Sequence, residues 1–294
     1  MDEPDRAASG PPSRREVLAS LGFLALTFAS MVGFSVEGVV WGGDVKGALQ
    51  FAVSLLSILL AHELGHWVVA RQHGFALSLP WFLPFPSLFG TMGAVIRLKS
   101  PPQSRTALLE MAAAGPVAGA VVAFSLLFLA LPWTSGIYVP KPGEAYTVFA
   151  DPLVVKILGT LRLGAPPDRL AELHPVALAG WCGCMLTGIN LLPLGQLDGG
   201  HIVNAMAPRW AGRVGWAGLL ACAAGGFAWP GWWVWGALLL VSGARQSLPV
   251  PEAPPPSLRA VLLAAAAAVL FILTFMPTPI VQETAPVLPS APSP

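Results

Sequence analysis

The chain has 294 residues, of which 55% are hydrophobic and only 11% charged, with a mean hydropathy of +0.68. A water-soluble domain carries about twice that charged fraction, so the composition excludes an ordinary soluble protein and points to lipid. A formal net charge of +1 and the lack of a long basic run exclude nucleic-acid binding, which needs a concentrated positive surface.

Residues 1–13, rich in Pro, Ser, Ala and charge, read as a disordered N-terminal tail. Arg14 and Arg15 precede an apolar run that reaches about residue 40, too long for a signal peptide, so the pair reads as the cytoplasmic anchor of a first membrane helix. A second span covers about residues 46–73 and carries Ala61-His62-Glu63-Leu64-Gly65-His66-Trp67. Residues 75–105, broken by Pro80, Pro84 and Pro86, are too interrupted for a helix and too apolar for an open loop. They predict an extended or hairpin segment embedded beside the His62–His66 stretch, where protein or a water-filled cavity satisfies the backbone.

A third span runs over about 105–133, and Ala114-Gly115-Pro116-Val117-Ala118-Gly119 within it allows close helix approach. Residues 134–171 mix charge, Pro and Gly and read as an extramembrane loop. A fourth span, about 172–192, leads into Asn190-Leu191-Leu192-Pro193-Leu194-Gly195-Gln196-Leu197-Asp198-Gly199-Gly200-His201, and further apolar runs lie near 212–228, 230–246 and 258–277. The three cysteines, Cys182, Cys184 and Cys222, cannot all pair and read as packing residues.

The expectation is an all-α polytopic membrane protein with six or seven transmembrane helices. Its membrane-embedded domain spans 14–277, with a core at 45–205, followed by a flexible Pro-rich tail at 278–294. With the N-terminus inside, Arg71, Arg97, Lys99, Arg105, Arg209, Arg213, Arg245 and Arg259 all fall on the cytoplasmic side, as expected for the inner membrane of a prokaryote. Counted back from Arg71, Glu63 lies about 12 Å along the helix axis, submerged but not central.

His62 and His66 are four residues apart, so on a helix both imidazoles reach one ion, while Glu63 falls on the adjoining face beside a metal-bound water. Zinc held there lowers the pKa of its water to about 7, and Glu63 takes the proton and passes it to the leaving amine. Catalytic zinc usually has three protein ligands, and Asp198 and His201 compete for the third place. An anion in an apolar chain needs the metal more than a neutral imidazole does, which favours Asp198. Asn190 reads equally as a hydrogen-bond donor to substrate or as a cap before Pro193. Glu110 reads as a structural residue in the first turns of its helix, and His73 and His174 as interfacial. The same buried ionisable groups would also suit an inert metal-binding membrane protein or an ion-coupled transporter.

His62-Glu63-Leu64-Gly65-His66 followed by Asn190-Leu191-Leu192-Pro193 and Leu197-Asp198-Gly199 resembles the site-2 protease family of intramembrane zinc metalloproteases. Ala114-Gly115-Pro116 and the segment around Gly90 to Ala94 extend the likeness over about 45–205. The resemblance implies one zinc ion per chain held by His62, His66 and Asp198, Glu63 as catalytic acid/base, and Asn190 as a substrate contact. It further implies membrane-spanning protein or peptide substrates cut within the lipid bilayer. Unlike several relatives, the sequence shows no stretch long enough for a periplasmic PDZ domain and no CBS-like extension, which leaves 134–171 as the sizeable external element.

Overall fold

The computed structural model describes residues 12–37, 44–87, 89–134, 136–168, 172–241, 250–251 and 254–286. Residues 1–11, Arg245 and residues 287–294, to which the sequence assigned a disordered tail, a cytoplasmic charge and part of a flexible tail, lie outside them.

Helix dominates. In chain order the elements are α1 (Arg14–Glu37), α2 (Val45–Gln72), strands β1 (Trp81–Pro84) and β2 (Thr91–Val95), α3 (Arg105–Ala130), a 3₁₀ turn (Leu131–Trp133) and β3 (Ala145–Phe149). There follow α4 (Leu153–Leu163), α5 (Pro175–Asn190), α6 (Asp198–Met206), α7 (Pro208–Gly225), α8 (Gly231–Val241), α9 (Leu258–Thr274) and β4 (Ile280–Thr284). Three described stretches, Arg14–Phe34, Val45–Gln72 and Arg105–Trp133, are helical, long and apolar enough to cross a membrane. The apolar helices Gly231–Val241 and Leu258–Thr274 are shorter.

Local chemistry explains the helix starts. Asp44 accepts hydrogen bonds from the amides of Lys46 and Gly47 (3.0 and 3.1 Å), and Ser104 accepts from Ala107 N (3.1 Å). Pro175 opens α5 from the first helical position, where its missing N–H costs nothing. The end of α5 is equally definite: Pro193 follows and Gly195 sits at φ +44°, so the chain turns and starts α6 afresh at Asp198. Asp198 therefore stands in the first turn of a separate short helix beyond the fourth span.

α2, α3 and α5 form the centre of the molecule, with Phe51, Leu55, Ile58, Ala123, Leu127 and Trp181 in one buried cluster. Small residues permit the approach: a Cβ on Gly65 would lie 2.6 Å from the Ala114 carbonyl oxygen, and one on Gly183 would lie 2.9 Å from Ile58. The outward face of α2 is apolar and exposed at Leu60, Leu64 and Val68, while Leu59, His62, Glu63 and His66 are buried. A helix that buries its polar residues and exposes leucines suits a lipid surround.

β1 and β2 pair antiparallel, Trp81 opposite Val95 and Phe82 opposite Ala94, with an irregularity before the Pro84–Thr91 pair. β3 and β4 form a second antiparallel pair with Tyr146 opposite Glu283 and Val148 opposite Val281. This corrects the expectation that the chain from 278 onward is a flexible tail. Ile280-Val281-Gln282-Glu283-Thr284 has the branched side chains that favour strands, and it satisfies the backbone edge that β3 would otherwise expose. β3 and α4 also give regular structure to part of the 134–171 segment, which composition marked only as loop.

Candidate metal centre

Three polar side chains converge where α2 meets the start of α6. His62 Nε2 lies 3.2 Å from Asp198 Oδ2, His66 Nε2 lies 3.3 Å from Asp198 Oδ1, and the two Nε2 atoms are 3.0 Å apart. Each residue offers one ligand atom, all within 4.8 Å of one another. A tetrahedral zinc site with bonds of about 2.0–2.1 Å has ligand–ligand edges of roughly 3.3 Å, so this donor set has the right chemistry and nearly the right span. The helix supplies the His spacing, and the turn after Pro193 swings Asp198 opposite.

The imidazoles are aimed from behind. His66 Nδ1 lies 2.8 Å from the Met111 carbonyl oxygen of α3, which can only accept, so Nδ1 donates and Nε2 is the ring nitrogen turned to the centre. Gly115 and Gly119 of α3 seat the two rings. A Cβ on Gly115 would fall 2.1 Å from His66 Nε2, and one on Gly119 would fall 3.1 Å from His62 Cβ. The four-residue spacing of these glycines matches that of the histidines. The sequence marked the stretch for close helix approach; that the approaching groups are the imidazole rings was not legible. The Met111 contact had no sequence signal, because any residue supplies a carbonyl.

Glu63 is 4% exposed, and its Oε2 is buried with no hydrogen-bond partner among the described residues. An unsatisfied buried carboxylate oxygen is costly, and functional sites are where that cost is tolerated. It borders a cavity of about 580 Å³ also lined by His62, His66, Asp198, Asn190 and residues 94–98 of the hairpin side. Asn190, at the last turn of α5, thus shares the cavity with the centre. His201 lines it too, one turn beyond Asp198, but falls outside the converging set. Glu110 lies apart, bonded to His73.

The model of Peptidase family M50 matches residues 50–217, more than half of the chain, a stretch that contains every residue of the centre. The chain belongs to this family. The resemblance to site-2 proteases read from the two motifs holds with it. "Probable zinc metalloprotease EGY1, chloroplastic" of Arabidopsis thaliana is 36% identical over 167 residues, covering 54% of this chain and 30% of the relative. "Probable zinc metalloprotease EGY2, chloroplastic" of Oryza sativa subsp. indica is 36% identical over 173 residues, covering 56% and 30%. The chain spans about 30% of the length of these curated relatives. Their names place them in the chloroplast, and so lend no support to a prokaryotic inner membrane or to a cytoplasmic N-terminus. Among solved structures, the site-2 protease from Methanocaldococcus jannaschii aligns with a TM-score of 0.44 at 17% identity, over 79% of this chain and 92% of that one.

Proposed function

We propose that this M50 member is an intramembrane zinc metalloprotease that hydrolyses peptide bonds in or near transmembrane segments of membrane-tethered substrates. The observation that carries the reading is the convergence of His62, His66 and Asp198 on a cavity that also holds the buried, unpartnered Glu63 carboxylate. These three side chains would hold one zinc ion. Zinc in such a site supplies Lewis acidity, so that water can be deprotonated near neutral pH.

The chain's own groups then divide the work. Glu63 accepts a proton from the attacking water and returns it to the leaving amine, a role suited to a carboxylate that no neighbouring donor occupies. Asn190 donates a hydrogen bond to the substrate carbonyl as charge develops on its oxygen. A peptide bond in a helix is shielded by its own hydrogen bonds, so the substrate must be locally extended to enter. The strand-like part from Gly90 to Ile96, of which Ala94, Val95 and Ile96 line the cavity, offers a backbone against which an extended segment can pair by edge addition.

In this reading the protein spans the membrane several times, six or seven by the apolar runs, with the β1–β2 hairpin embedded beside the site. The positive charges of Arg71, Arg97, Lys99, Arg105, Arg209, Arg213 and Arg259 between the apolar runs support placing their side, and the N-terminus with it, in the cytoplasm.

The test is metal analysis together with cleavage of a panel of single-span substrates. Glu63→Ala is expected to keep its zinc and lose cleavage, and Asp198→Ala to lose both. Full cleavage by Glu63→Ala would refute the mechanism. An inert metal protein would load zinc and cut nothing in any form, while a transporter would show gradient-dependent flux altered by the same substitutions.

A further inference from the structure

Two charged residues in the opening turns of α3 reach the helices that carry the centre. Arg105 donates from Nε to the Ala205 carbonyl (2.6 Å) and from Nη2 to the Met206 carbonyl, the last two residues of α6. That helix is nine residues long and begins at Asp198. A helix so short is marginal on its own, and its final carbonyls have no partner within it. The guanidinium satisfies two of them and brings positive charge to the negative end of the helix.

Glu110 sits one turn further along α3 with its side chain 9% exposed. Its Oε2 lies 2.9 Å from His73 Nε2, and its Oε1 lies 3.7 Å from Arg259 Nε on α9. His73 caps α2, two turns beyond His66. Residue 111, next to Glu110, supplies the carbonyl that His66 Nδ1 meets. A second bond, from Ser257 N to Thr106 Oγ1 (3.0 Å), ties the start of α9 to the same end of α3.

We propose that Arg105 and Glu110 are positioning residues for the metal centre. Through them α3 acts as a strut with directional bonds at both sides: Glu110 fixes its height and rotation against the two-histidine helix, and Arg105 fixes the aspartate helix. Neither touches the three ligands. Stability alone would be served as well by apolar side chains at Glu110 and His73, since a partly buried hydrogen-bonded pair gains little net over good apolar packing. What apolar packing lacks is direction, and direction is what keeps Met111 O aimed at His66 and Asp198 aimed at both imidazoles. Arg259 is 76% exposed and contributes the weaker half of the Glu110 clasp.

The inference rests on the reading that His62, His66 and Asp198 hold a metal, and its test separates the two. In the 294-residue chain in detergent, zinc affinity is measured by competition with a chelating indicator, and the visible absorption of the Co²⁺-substituted protein reports ligand geometry. Wild type that binds no zinc, or Asp198→Ala that binds as wild type does, overturns the metal reading itself.

With those controls in place, Arg105→Gln and Glu110→Gln are expected to weaken zinc by about tenfold, the low end of the cost of losing a direct partner of a metal ligand because both act one contact further out, and to shift the Co²⁺ spectrum. Arg105→Lys, which keeps the charge but not the two-pronged reach, should recover part of the affinity. Glu16→Gln breaks an ion pair to Lys99 that involves neither ligand-bearing helix, and should leave affinity and spectrum unchanged. Wild-type affinity and spectrum in Arg105→Gln and Glu110→Gln, with unfolding alone affected, would make both residues merely structural and overturn the proposal. If either glutamine variant fails to fold, the same measurements on Arg105→Lys and Glu110→Asp decide: a changed spectrum supports the strut and an unchanged one rejects it.

Discussion

Where α2 packs on α3 beside the metal centre, no atom can be added at Gly65 or Gly115, whereas the β3–β4 pair is held by main-chain bonds between partly exposed strands. An extra carbon on Gly115 would overlap the His66 ring, and one on Gly65 would press into the α3 backbone. In the sheet, Ala145, Val281, Gln282 and Thr284 are exposed, and five backbone pairs run in register from Ala145–Thr284 to Phe149–Ile280. Side-chain volume sets the geometry of the first region, and peptide hydrogen bonding sets that of the second. Substitutions should therefore act on the centre through shape and charge, and on the sheet scarcely at all unless the backbone is disturbed.

The largest effect is expected within the centre. Glu63→Ala should lower cleavage by about 10²–10⁴-fold, the usual contribution of a general acid/base, with zinc content unchanged. Next comes Gly115→Ala, which adds one methyl group against the Nε2 edge of the His66 ring. Since the backbone there cannot retreat without moving α2, the ring must turn, and zinc affinity should fall by about 10–100-fold. A chelator titration checks this, and unchanged affinity would mean that the helices yield where contact says they cannot. Smaller again are Thr91→Pro and Ala94→Pro at the hairpin. Loss of one strand-pairing donor is worth about 1 kcal/mol, so cleavage should drop by about five- to tenfold while zinc stays bound. Normal turnover in both variants would rule out edge addition.

The contrast also sorts what the sequence could reveal. Long apolar runs placed α1, α2 and α3 within a few residues, because helix length and hydrophobicity are local properties. The spacing of His62 and His66 and the charge of Asp198 likewise stand in the sequence. What joins them does not. The Met111 carbonyl, the grip of Arg105 on α6 and the Glu110–His73 pair link residues 37 to 101 positions apart through backbone atoms or common side chains. Arg105 read as a topological charge and Glu110 as a structural residue in the first turns of its helix, and neither reading contained these partners. β4 was missed for a related reason: flanking prolines gave residues 278–294 the composition of a tail, and only the partner strand, some 135 residues earlier, makes five of them a strand.

The smallest effect should come from the sheet. The Tyr146 hydroxyl donates to Glu283 Oε2 at 2.9 Å, joining side chains that stand directly opposite each other in the ladder. Tyr146→Phe removes that bond and keeps the ring, so stability should fall by about 0.2–1 kcal/mol, the range for a cross-strand pair. The main-chain ladder, including Gly143 N to Ala285 O and Ala150 N to Pro279 O beyond its ends, remains to hold the strands. Zinc affinity and the Co²⁺ spectrum should match wild type. Were Tyr146→Phe to weaken zinc as much as Gly115→Ala does, the two regions would not be independent, and the sheet would have to act on the centre through Ala150, whose carbonyl accepts from Trp181 Nε1 of α5 (2.7 Å). That link makes the comparison breakable: Trp181→Phe cuts the hydrogen bond while keeping an aromatic ring beside Phe149 of β3, and an unchanged zinc affinity there would show that the bond serves packing alone.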